Sequence, residues 1–252
     1  MIKSILNLFN VQKVQQPTSQ GPVKSPLANG VPDTFEKSDI GVPKEYVELF
    51  EKVKDLKGNK FYKESYKGLR KILNVPNATN PEFSFSLGGK TGTSTACYDA
   101  VSGRVILFGN LDLQGSKWEG FADIAHELKH VQQCRDMIRH EDIGPDNYKK
   151  MCVDYLMGSG QYTRRKDLEE QVNMLADYFT GQSAKMPKIK ADSPEGRHAM
   201  ALFEARKNYP YEIESDEQES YKNNLMEVEA FDFHDEIMDY VNKWKASTGV
   251  KD

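Results

Sequence analysis

The chain has no surplus of positive charge. Its 34 Lys and Arg are outnumbered by 38 Asp and Glu, giving a formal net charge of −4. A nucleic-acid footprint is basic and clustered, so this balance argues against one. No stretch approaches the ~20 consecutive apolar residues that a membrane-spanning helix needs. Cysteine is scarce: Cys97, Cys134 and Cys152 are the three, an odd number with no C-x-x-C pair. That count argues against a disulfide framework and leaves three reduced, packed thiols. Residues 1–10, MIKSILNLFN, are interrupted by Asn7 and lack a small-residue cleavage site, so they make a poor secretory signal. The expected location is the cytoplasm, or an exported state reached without a cleavable signal peptide.

Histidine is scarce too, five in 252 residues. Two of the five nevertheless share one pentapeptide. Residues 121–135 read FADIAHELKHVQQCR, and His126-Glu127-Leu128-Lys129-His130 within them is an HExxH string. On a helix, positions i and i+4 lie one turn apart on the same face. That sets two imidazoles side by side, at a spacing that suits one zinc ion. Glu127 then stands beside them, where it can take a proton from water on the metal. Phe121, Ile124, Ala125, Leu128 and Val131 recur near helical spacing, and no Pro or Gly interrupts residues 121–143. The expected element is a helix buried on one side.

The rest of the chain is read by composition and period. Residues 11–42 are rich in Gln, Ser, Pro, Gly and Asn and lack periodicity, so residues 1–42 are expected to form a disordered leader or linker. One helix is expected from Pro43, with a stripe of Tyr46, Val47, Phe50, Val53 and Leu56, ended by Gly58-Asn59. A second is expected over 60–73. Residues 83–113 change to a period of two: FSFSL, then TACYDAVSGRVILFGN as strand, turn and strand, with Val101-Ser102-Gly103 at the turn. Further helices are expected over 147–157 and 166–180, and a polar loop over 181–194.

HELKHVQQ resembles the active-site helix of HExxH zinc metallopeptidases of the gluzincin type, of bacterial or phage kind. The match covers residues 121–135, with a shorter echo near the C-terminus. The resemblance implies a zincin-like α+β fold: a small antiparallel sheet and a mostly helical body over 43–252. It also implies an edge strand beside the metal that pairs with an extended peptide substrate, for which residues 104–110 are the candidate. It further implies a third ligand, a Glu from a separate downstream helix. Two residues offer it: Glu212 in YPYEIESDE and Glu227 in NNLMEVEAFDF. Glu212 has Asp216 four residues on, whereas Glu227 lacks that Asp. The surroundings of Glu212 are almost wholly polar. Glu227 shares a stripe with Ala230, Phe231, His234, Met238 and Val241, and a carboxylate on an apolar face costs several kcal/mol unless a cation or donors meet it. Glu227 is therefore preferred and Glu212 kept as the alternative. A purely structural role for Glu227 also stands, as the capping-box partner of an N-cap Asn224.

Other placements fit less well. The metzincin pattern would need Gly at Gln133 to bring Asp136 round, and Gln133 offers no such turn. His140 lies about 15 Å beyond His130 along the helix axis, too far to share an ion. Tyr162, Tyr209, Tyr211 and Tyr221 are all candidates to steady an oxyanion. The expected protein is a zinc metallopeptidase with Zn2+ on His126, His130 and Glu227, Glu127 as general base, and a peptide or protein substrate. The alternative is a non-catalytic zincin-like binding or assembly protein, or an effector or cargo handed to secretion or injection machinery through residues 1–42.

Overall fold

The computed structural model describes residues 38–75, 82–84, 96–108, 116–160, 162–209 and 218–250. Among these it is α+β and mostly helical. In chain order the elements are α1 (Lys44–Val53), α2 (Gly58–Ile72), β1 (Glu82–Ser84), β2 (Ala96–Asp99), β3 (Arg104–Phe108), α3 (Lys117–Arg139), α4 (Gly144–Gly158), α5 (Arg165–Ala184), α6 (Pro194–Lys207), α7 (Gln218–Lys222) and α8 (Leu225–Thr248). No described helix is long and apolar enough to cross a membrane. Residues 1–37 of the expected leader lie outside the described residues. At its far end Val42 is fully buried and Ile40 packs against the core, so the folded body reaches back past residue 43.

The centre of the molecule is α3, the HExxH helix. Burial on one side was expected, but the structure buries it almost all round. Trp118, Phe121, Ala122, Ile124, Ala125, Leu128, Val131, Cys134, Met137 and Ile138 cover several faces. The reason is position: α2, α4, α5, α6, α8, β2 and β3 all pack on it. Its N-terminal end is held in an aromatic cluster in which Trp118 meets Trp244 of α8 at 5.1 Å and Phe50 of α1 at 5.7 Å between ring centroids. These large rings bury the most area per side chain and fix the approach of α8 to α3.

The sheet is small and mixed. β2 runs antiparallel to β3, with Cys97 opposite Ile106, while β1 runs parallel to β3, with Phe83 opposite Leu107. The expected small antiparallel sheet is present as the β2–β3 pair, and β1 adds a parallel strand to it. The edge strand expected at 104–110 is corrected. The order β1-β3-β2 makes Arg104–Phe108 the central strand, while residues 109 and 110 lie outside the described residues. An unbroken apolar run suits a strand paired on both sides, and Val105, Ile106 and Leu107 are all buried. The β2–β3 turn is where the sequence puts it. The Asp99 carboxylate accepts from the Val101 N–H at 3.0 Å and from the Ser102 hydroxyl, and Gly103 adopts φ +67°.

Two helix boundaries also need correction. Gly58-Asn59 does not end α1; it opens α2, with Lys57 extended at φ −133° in the N-cap position. α5 runs on to Ala184, shortening the expected 181–194 loop. Helix α6 has no counterpart in the sequence reading. Its signal is Ser193-Pro194: the Ser193 hydroxyl accepts from the Gly196 N–H at 2.9 Å, with Pro194 in the first turn.

Gly196 gives a stability test with a defined sign. A Cβ there would meet the Lys190 carbonyl oxygen at 2.0 Å and the Ala191 carbonyl oxygen at 2.9 Å, both backbone atoms. Gly196→Ala is expected to cost about 2–3 kcal/mol, the range for overpacking a rigid site. That lowers the melting temperature by about 4–12 °C in a chain of this size. Gly181, inside α5, has nothing within 4 Å of its would-be Cβ. Gly181→Ala is expected to raise stability by about 1 kcal/mol through helix propensity. Thermal melts of both variants check the opposite signs.

Candidate metal centre

Helix α3 places His126 and His130 one turn apart, with ring centroids 4.9 Å apart and planes at 84°. Their Nε2 atoms face one another at 3.2 Å. The third corner comes from the first turn of α8. Asn224 is the N-cap, its side chain accepting from the Met226 N–H at 3.0 Å. The capping box, however, does not form. The Asn224 N–H donates to the Tyr221 carbonyl instead, and the Glu227 carboxylate turns toward α3. There Glu227 Oε1 lies 3.2 Å from His130 Nε2, and Oε2 lies 3.4 Å from His126 Nε2.

These three distances bear directly on a metal. Two donors held about 2.05 Å from a tetrahedral zinc lie about 3.3 Å apart. The two imidazole nitrogens stand 3.2 Å apart, each has a different Glu227 oxygen at 3.2 or 3.4 Å, and one donor atom from each of the three residues lies within 4.8 Å of the other two. Two imidazole nitrogens and one carboxylate oxygen are also a donor set that zinc accepts. All three residues are buried, and they are the one such group among the described residues. The residues present could hold such an ion.

The supports of the triangle were not read from sequence as such. Tyr209, just beyond α6, donates its hydroxyl to Glu227 Oε1 at 2.5 Å, and Tyr221 of α7 donates to Oε2 at 2.7 Å. Two of the four tyrosines considered for an oxyanion therefore spend their protons on the glutamate. Tyr162 is not among its hydrogen-bond partners, and Tyr211 lies outside the described residues. Tyr98 of β2 stacks on the His130 ring at 6.2 Å and 20°. Phe231 of α8 meets His126 edge-on at 4.7 Å and stays 40% exposed. The core stripe of α8 is Met226, Ala230, Phe233, Ile237, Val241 and Trp244, so Phe231 and His234 lie off it, contrary to the stripe read from sequence.

The remaining candidates separate clearly. Glu127 stands on α3 between the histidines, half-buried. Burial pushes its carboxyl upward against the pull of His126 and His130, and the charges of Glu227 and Asp123 add to the rise. Glu212 lies outside the described residues. Asp136 is held by Arg135 at 2.7 Å and Arg139 at 3.0 Å. His140 caps the end of α3, its Nδ1 accepting from the Asp142 N–H at 3.1 Å. His234 sits beside Asp123, Glu119 and Asp235, and His198 beside Glu229; neither joins the triangle. Cys134 is buried, as are Cys97 and Cys152, and burial raises its thiol pKa.

Without metal the triangle stores a proton. Burial opposes a charged His130, but the Glu227 carboxylate outweighs it, and the ring is pushed up from 6.5 to about 9. Glu227 moves the opposite way: burial would raise it, and His130 and His126 together carry it well below the usual carboxylate range. A raised histidine adds stability that is complete below pH 6.5 and is lost as pH climbs through about 9. The lowered glutamate adds stability above 4.5 that is lost in acid. The metal-free protein is therefore expected to lose stability between pH 6.5 and 9, whereas zinc, which must displace the stored proton, removes that loss. Calorimetric titration of zinc near about pH 7.5 in buffers of differing ionisation enthalpy should show release of about one proton. Release of none contradicts the stored proton.

No family model matches the chain, and neither the curated proteins nor the solved structures yielded a match.

Proposed function

We propose that the chain is a zinc-dependent metalloendopeptidase. The observation that supports this most is the buried His126–His130–Glu227 group, whose donor atoms lie within 4.8 Å of one another and could hold one ion, with Glu127 on the same helix turn. Zinc held by these three residues would supply a Lewis acid that polarises the scissile carbonyl and makes water acidic enough to attack near neutral pH.

The chain's own groups do the rest. Glu127 takes the proton from the attacking water and passes it to the leaving amine. Its raised affinity for protons, set by burial, suits a group that must both accept and return one. Tyr209 and Tyr221 hold the two oxygens of Glu227, so the glutamate reaches the centre in one orientation. Tyr98 backs the His130 ring. Phe231 forms an apolar wall beside His126, where substrate would approach. The zincin-like reading of the fold rests on the same features: a short sheet packed on the HExxH helix, and a glutamate brought from a separate helix.

The test is hydrolysis of a panel of unfolded proteins by metal-analysed material. Zinc-loaded protein is expected to cleave, to stop on addition of a chelator and to recover on return of zinc. Full zinc occupancy with no cleavage of any panel member would favour the metal-binding scaffold over the peptidase.

A further inference from the structure

Behind His130, on the side away from the triangle, lies a chain of polar groups that the reaction does not consume. Its first member is Gln133, one turn on from His130 along α3 and buried. Gln133 Oε1 lies 2.9 Å from His130 Nδ1. Gln133 Nε2 donates to the Met226 carbonyl at 3.0 Å and to Glu229 Oε2 at 3.1 Å. The other oxygen of Glu229 lies 3.1 Å from His198 Nε2, on α6. Three helices thus meet in one line: α3, α8 and α6.

The chemistry of an amide makes this line directional. One end of a carboxamide donates and the other only accepts. A backbone carbonyl and a carboxylate, both acceptors, meet the far end of Gln133. Only its nitrogen satisfies them, so its oxygen must face His130. An oxygen there requires a proton on His130 Nδ1. In the neutral ring that leaves the lone pair on Nε2, the atom that faces Glu227 and His126.

We propose that Gln133, oriented by the Met226 carbonyl and Glu229, is a positioning residue that commits His130 to its metal-binding tautomer. The inference rests on the metal reading above and deepens it. A ligand histidine ordinarily donates its second N–H to a carboxylate, a carbonyl or water. Here a neutral amide fills that place, and the carboxylate stands one step back. Glu229 and the Met226 carbonyl together fix which way the amide points, without a full charge against the ring.

Two pairs of measurements test it. The first is zinc affinity by competition with a chromophoric chelator. Gln133→Leu is expected to weaken zinc binding about 10–100-fold, the usual cost of losing the partner of a ligand histidine. Glu229→Leu removes one of the two acceptors that orient the amide, leaving the Met226 carbonyl, and is expected to weaken binding less than Gln133→Leu does, by about 5–10-fold. Glu229→Gln keeps an oxygen for Gln133 to donate to, and should bind within about threefold of wild type. This rescue by the conservative variant separates positioning from mere packing. It also keeps the test open if Gln133→Leu fails to fold. The second readout is solvent exchange of the His130 Nδ1–H, from proton–nitrogen NMR of zinc-loaded protein. Wild type should show a slowly exchanging Nδ1–H, and Gln133→Leu a fast one.

Zinc binding by Gln133→Leu and Glu229→Leu within about twofold of wild type would overturn the relay and leave the metal centre standing. So would an Nδ1–H that exchanges with solvent as fast in the wild type as in Gln133→Leu. A wild-type protein that takes up no zinc overturns the metal reading and the relay together.

Discussion

Replacing Glu127 with Gln is expected to cut peptide hydrolysis by about 10²–10⁴-fold, the contribution of a positioned general base. Zinc should stay bound, because Glu127 is not a corner of the ligand triangle. The amide is nearly isosteric with the acid, so the helix keeps its packing. It cannot take a proton from water, and that single deficit is the whole of the predicted effect. The wild-type carboxyl is shifted upward by burial, so removing its charge also removes a desolvation cost. The metal-free Glu127→Gln protein should accordingly melt no lower than wild type. The decisive comparison is kcat/KM for both proteins at equal, measured zinc content. Equal rates would remove Glu127 from the mechanism and leave the proton transfer without an agent.

The second large effect is at Glu227. Glu227→Ala is expected to weaken zinc binding by more than about 100-fold, beyond the range for losing the mere partner of a ligand. The consequence for stability follows by mass action. Zinc at about a thousand times its dissociation constant adds about 4 kcal/mol to the wild type, or about 8–16 °C in melting temperature at this chain length. The alanine variant should gain nothing at the same zinc concentration. It should also be less stable without metal. Glu227 is 1% exposed and accepts from both Tyr209 and Tyr221, so its loss strands the hydroxyls of buried Tyr221 and half-buried Tyr209. Differential scanning calorimetry with and without zinc separates the two contributions. Undiminished zinc affinity in Glu227→Ala would move the third ligand elsewhere, with Glu212 the next residue to replace.

Much of this centre is visible in one short run of residues. The i, i+4 spacing of His126 and His130 needs only a helix to become a pair of adjacent imidazoles, and the apolar residues around them supply the helix. The choice of Glu227 over Glu212 used a second local property, the cost of a carboxylate on an apolar face. The N-cap at Asn224 was equally local, because the side chain and the N–H it accepts from are neighbours in sequence. Period alone misplaces the stripe by roughly a fifth of a turn. Phe231 and His234 were set on the core stripe of α8, which in fact runs through Phe233 and Ile237. The edge strand failed for a different reason. Which strand is central depends on what pairs with it, and β1 joins β3 from the far side of an intervening hairpin strand.

The sequence by itself determined the helix, its two histidines, the acid between them and a short list of glutamates that could complete the site. Those depend on contacts within one or two helical turns, and the backbone period fixes them. Only the tertiary structure decided that α3 is buried nearly all round, that Tyr209 and Tyr221 hold Glu227, and that Gln133 reaches Met226 across 93 residues of chain. Such meetings are settled by how whole helices pack against one another. The aromatic cluster of Phe50, Trp118 and Trp244 sets that packing, and no local spacing encodes it.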